Sequence, residues 1–168
     1  MLKTKLPWIV LAAALIVCVI QMAMFGPKLP DPVASHFAAN GQANGSISRT
    51  TFIIFTIGFQ FGLAALLVGT AWLTGVLPTS MINIPNREYW LSDERRQESL
   101  DYQKRMLLWI TAITTVFFVF VTQLVIHSNM NQQPMNMAVF WVVMGIYLVA
   151  IFAICGRMIL RFQKIPLA

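Results

Sequence analysis

The stretch Leu6–Phe25, LPWIVLAAALIVCVIQMAMF, contains no charged residue and is as long as a membrane-crossing helix. About 20 apolar residues of helix cross roughly 30 Å of hydrocarbon. Pro7 falls in the first turn, where its missing N–H costs little. The basic start MLKTK is typical of a signal peptide, but the apolar run is longer than a usual signal core and no clear A-x-A site follows it. The stretch therefore predicts an uncleaved first transmembrane helix.

The same apolar pattern recurs three more times along the chain. Only 11% of the 168 residues are charged, whereas about 25% is usual in a soluble domain. Asp, Glu, Lys and Arg are missing from three long intervals, which run between Lys5 and Lys28, between Arg49 and Arg87, and between Arg105 and Arg157. The predicted spans are about 6–25, 50–77, 106–126 and 136–159. We therefore predict an all-α integral membrane protein, a four-transmembrane-helix bundle that forms a single membrane domain over residues 1–168.

Few polar residues lie inside these spans. Gly58-x-x-x-Gly62 predicts a surface on which a neighbouring helix packs closely, and Gln60 is expected to point into the bundle. No ionisable residue lies inside a span, and such residues mark ion and proton paths. A transporter or channel is therefore not expected. Cys18 and Cys155 both lie in apolar runs and are interpreted as small buried hydrophobic residues.

The polar stretch 78–105 is predicted to form a loop and a helix on the cytoplasmic side. Pro85 forbids a regular helix in its first half. A helix is predicted to start with Ser92 as its cap and to continue without a break into the third span. A short loop, 127–134, is expected after that span. The irregular part could fold back against the inner mouth of the bundle, and its candidate binding residues are Asn83, Pro85, Asn86, Arg87, Tyr89 and Trp90.

The distribution of positive charge predicts the orientation. Of the 12 Lys and Arg residues, ten lie in the N-terminal tail, in 78–105 and at the C-terminal end, and two flank the loop between the first two spans. Positive residues favour the cytoplasmic side of a membrane. Both termini are therefore predicted to be cytoplasmic in an inner membrane, with the 27–49 loop and His127 outside. The excess of Lys and Arg residues is expected to contact lipid headgroups. Nucleic acid is not an expected partner.

The outer loop, 27–49, is predicted to have a defined shape. Pro27, Pro30 and Pro32 break the first helix and favour extended backbone before each proline. Residues 34–39 are expected to make one or two helical turns, which Asn40-Gly41 ends as a left-handed cap. Asn44-Gly45 is expected to form a second turn, of the kind that closes a tight hairpin.

This loop also carries a family resemblance. The pattern Leu29-Pro30-Asp31, Ser35-His36-Phe37, Gly41, Gly45-Ser46 and Arg49 resembles the domain of unknown function 1648, which is found in SdpI-like bacterial membrane proteins. The likeness covers the first two spans and their loop, and 83–90 looks like a stretch seen in short members. Ala34 stands where the family usually has a proline, and Arg49 replaces the commoner lysine. The resemblance implies a role in immunity to a secreted toxin or in sensing it.

Two kinds of site are predicted at the outer face. The residues expected to contact a peptide, a toxin or a partner protein are Asp31, His36, Phe37, Asn40, Gly41, Gly45 and Arg49. Alternatively, Asp31, His36 and His127 offer a carboxylate and two imidazoles, a set that suits several divalent metals, although no H-E-x-x-H or paired C-x-x-C motif is present. A third interpretation is structural, with His36 hydrogen-bonding within the loop and Phe37 inserting into the bundle.

The expected function is therefore not catalytic. The chain has no evident nucleophile and base, or paired carboxylates, at the predicted outer face, and no cofactor is expected. The sequence favours a small inner-membrane protein whose outer loop recognises a peptide, a toxin or a partner. An accessory subunit of a larger membrane complex is one alternative. A metal-dependent membrane enzyme that uses His36, Asp31 and His127 is the other.

Overall fold

A computed structural model describes residues 2–165, and helices dominate it. The elements in chain order are α1 Leu2–Phe25, a turn of 3₁₀ helix Gly26–Lys28, β1 Val33–Phe37, β2 Ala43–Ile47, α2 Arg49–Val76, a turn of 3₁₀ helix Thr79–Met81, α3 Arg87–Trp90, α4 Arg96–Asn131 and α5 Met137–Gln163. Four of the helices, α1, α2, α4 and α5, are long and apolar enough to cross a membrane. The prediction of a four-span membrane protein is confirmed.

Helix α4 lies at the centre of the arrangement and packs against α1, α2 and α5, whereas α5 packs mainly on α4. The contact faces of α4 carry small side chains, and Thr111 and Ala112 are fully buried. Small residues let helix backbones approach closely in a membrane. The Thr111 hydroxyl donates to the Leu107 carbonyl at 2.9 Å, so it leaves no unpaired polar group at the contact.

The glycine face of α2 differs from the prediction. A Cβ added at Gly58 or at Gly62 would meet no atom of the described residues within 4 Å, so none of the described helices packs there. Gln60 is 2% exposed and does face the bundle, as expected. The two findings are linked, because each residue of a helix turns by about 100° and Gln60 thus lies on the side of α2 opposite the two glycines.

Helix α4 runs without a break from the 78–95 segment through its span, as the sequence predicts, but both of its ends are shifted. It begins at Arg96 rather than at Ser92, whose carbonyl accepts hydrogen bonds from the N–H groups of Arg95 and Arg96. It ends at Asn131, so the expected loop at His127 is wrong and His127 is an exposed helical residue. At about 1.5 Å per residue, its 36 residues measure about 54 Å, longer than the hydrocarbon core is thick.

The loop between α1 and α2 is a β-hairpin. Strands β1 and β2 pair antiparallel, with Val33 opposite Ile47 and Phe37 opposite Ala43. The helical turns expected over 34–39 are therefore wrong, and so is the turn expected at Asn44-Gly45, which lies within β2. The chain reverses instead between Ala38 and Gln42, where Gly41 has a φ of +82°. Gly41 is left-handed, as expected, but it belongs to the hairpin turn and does not cap a helix.

Candidate functional site

The hairpin is attached to the helices by Asn129 of α4. The Ala34 N–H donates to Asn129 Oδ1 at 2.8 Å, and Asn129 Nδ2 donates back to the Ala34 carbonyl at 2.9 Å. Nδ2 also donates to the Val125 carbonyl within its own helix, at 2.9 Å. The carboxamide therefore pairs with β1 as the edge of another strand would, on the side away from β2. Asn129 lies beyond the predicted end of the third span and carried no signal of this role in the sequence.

The turn of the hairpin is fixed to the connection between α4 and α5. The Met135 N–H donates to the Gly41 carbonyl at 2.8 Å. A Cβ at Gly41 would lie 2.3 Å from the Met135 carbonyl oxygen, so no larger residue fits without moving the connection. Asn40, next to it, accepts the Gln42 N–H at 3.0 Å and shapes the turn. Both predicted binding residues therefore have structural roles.

The base of the hairpin is attached to the N-terminus of α2. Asp31 Oδ1 accepts the Arg49 N–H at 3.1 Å, and the Ser48 side chain accepts the Thr51 N–H at 3.2 Å as the helix cap. A carboxylate at this position also interacts favourably with the positive end of the helix dipole. Asp31 and Arg49, which the sequence selected separately, are thus in contact through the Arg49 backbone.

His36 and Phe37 lie on β1, and Gly45 faces them from β2. His36 is exposed, and its Nδ1 lies 3.2 Å from the Ser35 hydroxyl. A Cβ at Gly45 would lie 3.1 Å from the His36 Cβ, so the glycine leaves room for the imidazole. Phe37 is half-buried. Of the predicted outer residues, His36 is the exposed side chain that does not hold the hairpin in place.

The metal site that the sequence offered as an alternative does not form. Within residues 2–165, no group of three or more His, Cys, Asp and Glu side chains is placed to hold a metal ion. Asp31 contacts the start of α2, and His127 lies on α4 in an exposed position. Asp31, His36 and His127 share one end of the molecule without converging on a point. The three residues proposed as ligands of a metal-dependent enzyme therefore do not form a common site.

A cleft of about 530 Å³ lies beside the hairpin, between α2 and α4. Its lining is mostly apolar and aromatic and consists of Ser35, His36, Ile47, Thr51, Phe52, Phe55, Thr56, Phe59, Gln60, Phe118, Val121, Thr122 and Val125. Ser35, His36 and Thr51 line the part nearest the hairpin. At the other end the rings of Phe59 and Phe118 meet edge to face, with centroids 4.9 Å apart. The cleft thus runs from the hairpin down into the apolar part of the bundle.

Gln60 lies at the deep end of this cleft and is an unusual residue for that place. Its Nε2 and Oε1 atoms are buried and have no hydrogen-bond partner within the described structure. Gln21 of α1 is comparably buried but half paired: its Nε2 donates to Gln123 Oε1 at 2.8 Å, whereas its Oε1 has no partner among the described residues. Leaving a buried polar group unpaired costs about 1–3 kcal/mol. The sequence predicted that Gln60 faces the bundle but gave no sign that its carboxamide would stay unpaired.

At the opposite end of the molecule, the 77–95 segment folds back over the C-terminal end of α5. Asn86 has a left-handed backbone with a φ of 51°, and its Nδ2 donates to the carbonyls of Phe162 and Gln163 at 3.0 and 2.9 Å. Trp90 Nε1 donates to the Phe162 carbonyl at 2.9 Å. These side chains satisfy carbonyls that the end of a helix leaves without intrahelical partners.

The remaining candidates of this segment surround that contact. Trp90 is buried in an apolar cluster with Ile82, Ile84, Leu91, Leu100, Tyr102 and Phe162. Arg87 donates to the Ser80 carbonyl at 3.1 Å, and the Arg95 guanidinium lies 4.3 Å from the centre of the Tyr89 ring. Asn83 and Pro85 are exposed. Of the residues that the sequence suggested for binding here, Asn86 and Trp90 contact the end of α5. Asn83, Asn86, Arg87 and Tyr89 also line an open pocket of about 490 Å³, and their role in binding remains a prediction.

Comparison with known proteins finds a family match for one part of the chain. Residues 8–60 match the family model described as Domain of unknown function (DUF1648). The match confirms the resemblance noted in the sequence and extends over α1, the hairpin and α2 as far as Gln60. No curated protein and no solved structure matches the chain.

Proposed function

We propose that this multi-pass membrane protein, whose residues 8–60 match DUF1648, recognises a secreted peptide, toxin or partner protein through its hairpin and is not an enzyme. Immunity to that toxin, or signalling of its presence, is the specific version that the SdpI-like resemblance implies. The protein acts in a bacterial inner membrane with both termini in the cytoplasm and the hairpin outside. Membrane lipids are its other partners.

The rigid attachment of the hairpin is the observation that carries this proposal. Three contacts from three parts of the chain hold it: Asn129 to Ala34, Met135 to Gly41, and Asp31 to Arg49. A surface that is already in its binding conformation loses less conformational entropy when a partner binds. The same contacts leave His36 exposed beside an open cleft.

The arrangement around His36 supports recognition over catalysis. The Ser35 hydroxyl lies near its ring, but within residues 2–165 no carboxylate hydrogen-bonds to that ring. A serine nucleophile needs a base that a third group holds in the right orientation. The nearby carboxylate of Asp31 is hydrogen-bonded to the Arg49 backbone, away from this pair.

Toxin challenge of a deletion strain tests the function. We expect the strain to become sensitive to at least one member of a panel of secreted peptide toxins, and the wild-type gene to restore resistance. His36→Ala should restore it poorly. His127→Ala, the same change at an exposed position on α4, should restore it fully. Unchanged sensitivity of the deletion strain across the panel would refute the immunity version.

Cysteine labelling tests the orientation. In a background without Cys18 and Cys155, the exposed residues Asn44 of β2 and Asp93 of the opposite end are replaced by Cys one at a time. A membrane-impermeant maleimide should label Asn44→Cys in intact cells and Asp93→Cys only after lysis. The reverse pattern would overturn the topology, which rests on ten basic residues at one end against two at the other.

The glycine face of α2 favours a second candidate, an accessory subunit of a larger membrane complex. Gly58 and Gly62 are exposed and contact no other helix within residues 2–165, and closely packed helix pairs use such faces. Extraction in mild detergent should then yield a stoichiometric membrane partner that Gly62→Leu removes. Gly145→Leu, at an equally open glycine on α5, is the control. Recovery of the chain without any stoichiometric partner would argue against this candidate.

A further inference from the structure

The cleft beside the hairpin combines apolar walls with a deep hydrogen-bonding group. Its walls include Phe52, Phe55 and Phe118, whereas Gln60 at the deep end has an unpaired donor and an unpaired acceptor. Its volume, about 530 Å³, falls within the range of about 300–1,000 Å³ that is usual for small-molecule sites. A ligand that fits must therefore be mostly apolar and must offer both a donor and an acceptor below the surface.

The depth of Gln60 limits the ligand further. Thr51, near the hairpin, and Gln60 both line the cleft from α2, and nine residues of helix separate them by about 14 Å. An extended peptide covers this distance with about four residues. A lipid acyl chain would fill the apolar walls equally well, but hydrocarbon offers neither a donor nor an acceptor to the Gln60 carboxamide.

The hairpin itself shows how a carboxamide binds extended backbone in this protein. Asn129 accepts the Ala34 N–H at 2.8 Å and donates to the Ala34 carbonyl at 2.9 Å, so one side chain satisfies both polar groups of one residue. The Gln60 side chain ends in the same carboxamide, and both of its polar atoms are buried without a partner within the described structure, so a turn of the side chain toward the cleft would offer them for such a pair. An apolar environment strengthens the need for it, because water cannot replace the missing partners.

We propose that the cleft binds an apolar peptide segment in extended form, and that the Gln60 carboxamide pairs with the N–H and C=O groups of one of its residues. The segment enters beside Ser35, His36 and Thr51, and its side chains occupy the aromatic walls. This inference rests on the proposed function, since it states which part of a recognised peptide the protein holds and where.

Photo-crosslinking of the purified protein in lipid nanodiscs tests the site. The first probe is an acetylated and amidated peptide of six leucines and alanines that carries one photoreactive leucine. The second is a photoreactive fatty acid of 16 carbons. We expect the peptide to crosslink saturably to lining residues of α2 or α4, with competition by unlabelled peptide but not by the fatty acid. Saturable labelling of the cleft by the fatty acid alone would overturn the proposal in favour of a lipid site.

Gln60→Leu is the decisive variant because it keeps the volume of the side chain and removes its hydrogen-bonding groups. Two lost hydrogen bonds at about 1 kcal/mol each correspond to a loss of peptide affinity of roughly 30-fold. The thermal stability of the free protein should stay the same or rise, since the variant also removes an unpaired buried amide. Gln133→Leu, at an exposed residue of the α4–α5 connection, should leave the peptide affinity unchanged. Equal affinity in Gln60→Leu and the wild type would overturn the pairing.

A second variant tests the cleft without relying on Gln60. Val121 is a half-buried lining residue, and Val121→Phe should fill the cleft and abolish saturable crosslinking. Retained crosslinking in this variant would place the peptide elsewhere and refute the proposal. If His36→Ala impairs toxin resistance while both cleft variants behave as the wild type, the cleft assignment fails and the proposed function stands. If the cleft variants lose the peptide and the deletion strain resists every toxin, the immunity role fails and the cleft site stands.

Discussion

The two ends of this molecule satisfy their backbone polar groups in opposite ways. At the hairpin end, Asn129 of a helix supports one edge of a two-stranded sheet, and an open cleft lies beside it. At the basic end, Asn86 and Trp90 of the 77–95 segment cover the last carbonyls of α5 above the buried Phe162. The first arrangement leaves the hairpin exposed. The second packs the 77–95 segment over the end of α5.

The two ends also differ in the number of charged residues. At the basic end, Arg161 forms an ion pair with Glu98 at 2.5 Å and lies over the Tyr102 ring, 4.4 Å from its centre. Lys104 lies 3.5 Å from the centre of the Trp72 ring. Aromatic faces attract such cations by about 0.5–1 kcal/mol at exposed sites. The hairpin end has few charges, so the recognition that we propose there would depend on shape, apolar contact and backbone hydrogen bonds.

Phe162→Ala should have the largest effect. It tests how closely the cluster around Trp90 is packed at the basic end. Phe162 is 1% exposed, and truncation of a buried phenylalanine costs about 3–5 kcal/mol. Phe152→Ala, on the same helix but 70% exposed, should change the stability little. Thermal unfolding in detergent measures both. Equal losses would show that the cluster around Trp90 is not closely packed.

Gly41→Ala comes next and tests the attachment of the hairpin turn. The left-handed backbone costs an alanine about 1–2 kcal/mol, and the clash with the Met135 carbonyl adds loss of a hydrogen bond, about 1 kcal/mol. Trypsin cleavage after the exposed Lys28, together with thermal unfolding, reports the change. Gly58→Ala should instead be neutral or stabilising by up to about 1 kcal/mol, since its Cβ meets nothing and alanine favours helix. Slower cleavage in Gly41→Ala than in Gly58→Ala would contradict the attachment.

Asn129→Leu tests the contact between α4 and β1. The change leaves the Ala34 N–H and C=O without their partner, which costs about 1–3 kcal/mol. Hydrogen exchange of β1, followed by mass spectrometry, should accelerate while exchange in α1 and α4 stays slow. Asn131→Leu is the matched control, because the exposed Asn131 side chain donates to the His127 carbonyl of its own helix and to no group of β1. Unchanged protection of β1 in Asn129→Leu would mean that the hairpin docks by apolar contact alone.

Asn86→Gly should have the smallest effect. It tests how much the Asn86 side chain contributes at the basic end by capping α5. Glycine keeps the left-handed backbone at φ 51° and removes the amide that caps α5. Because Asn86 is exposed, water can replace part of the cap, and we expect a loss of about 1 kcal/mol. Asn86→Ala should cost about 1 kcal/mol more, since alanine disfavours that backbone. Chemical unfolding measures the stability of both variants. The loss in Asn86→Gly reports the hydrogen bonds to α5, and the further loss in Asn86→Ala reports the cost of the left-handed backbone. Equal stability of the two variants would exclude that backbone cost.

Several features of the fold followed from the sequence because they depend on local composition. The number of spans depends on uninterrupted apolar length, and the continuity of α4 depends on the absence of a breaker between Arg96 and the third span. Gln60 was expected to face the bundle, because a carboxamide is costly in lipid, and it does. The outward orientation of the hairpin, the binding residues and the partner remain predictions.

Only the tertiary structure decided the hairpin and the cleft. Residues 34–39 have no strong preference of their own, and the partner that makes Ala34 extended is Asn129, 95 positions later in the chain. Likewise, Gly41 and Asn86 carry signals of unusual backbone, but the groups they serve, Met135 and the end of α5, cannot be read from local pattern. The sequence by itself determined where the chain enters the apolar phase, because burial in lipid depends on each segment alone. Which polar groups pair, and that the Gln60 carboxamide stays unpaired, depended on contacts between segments.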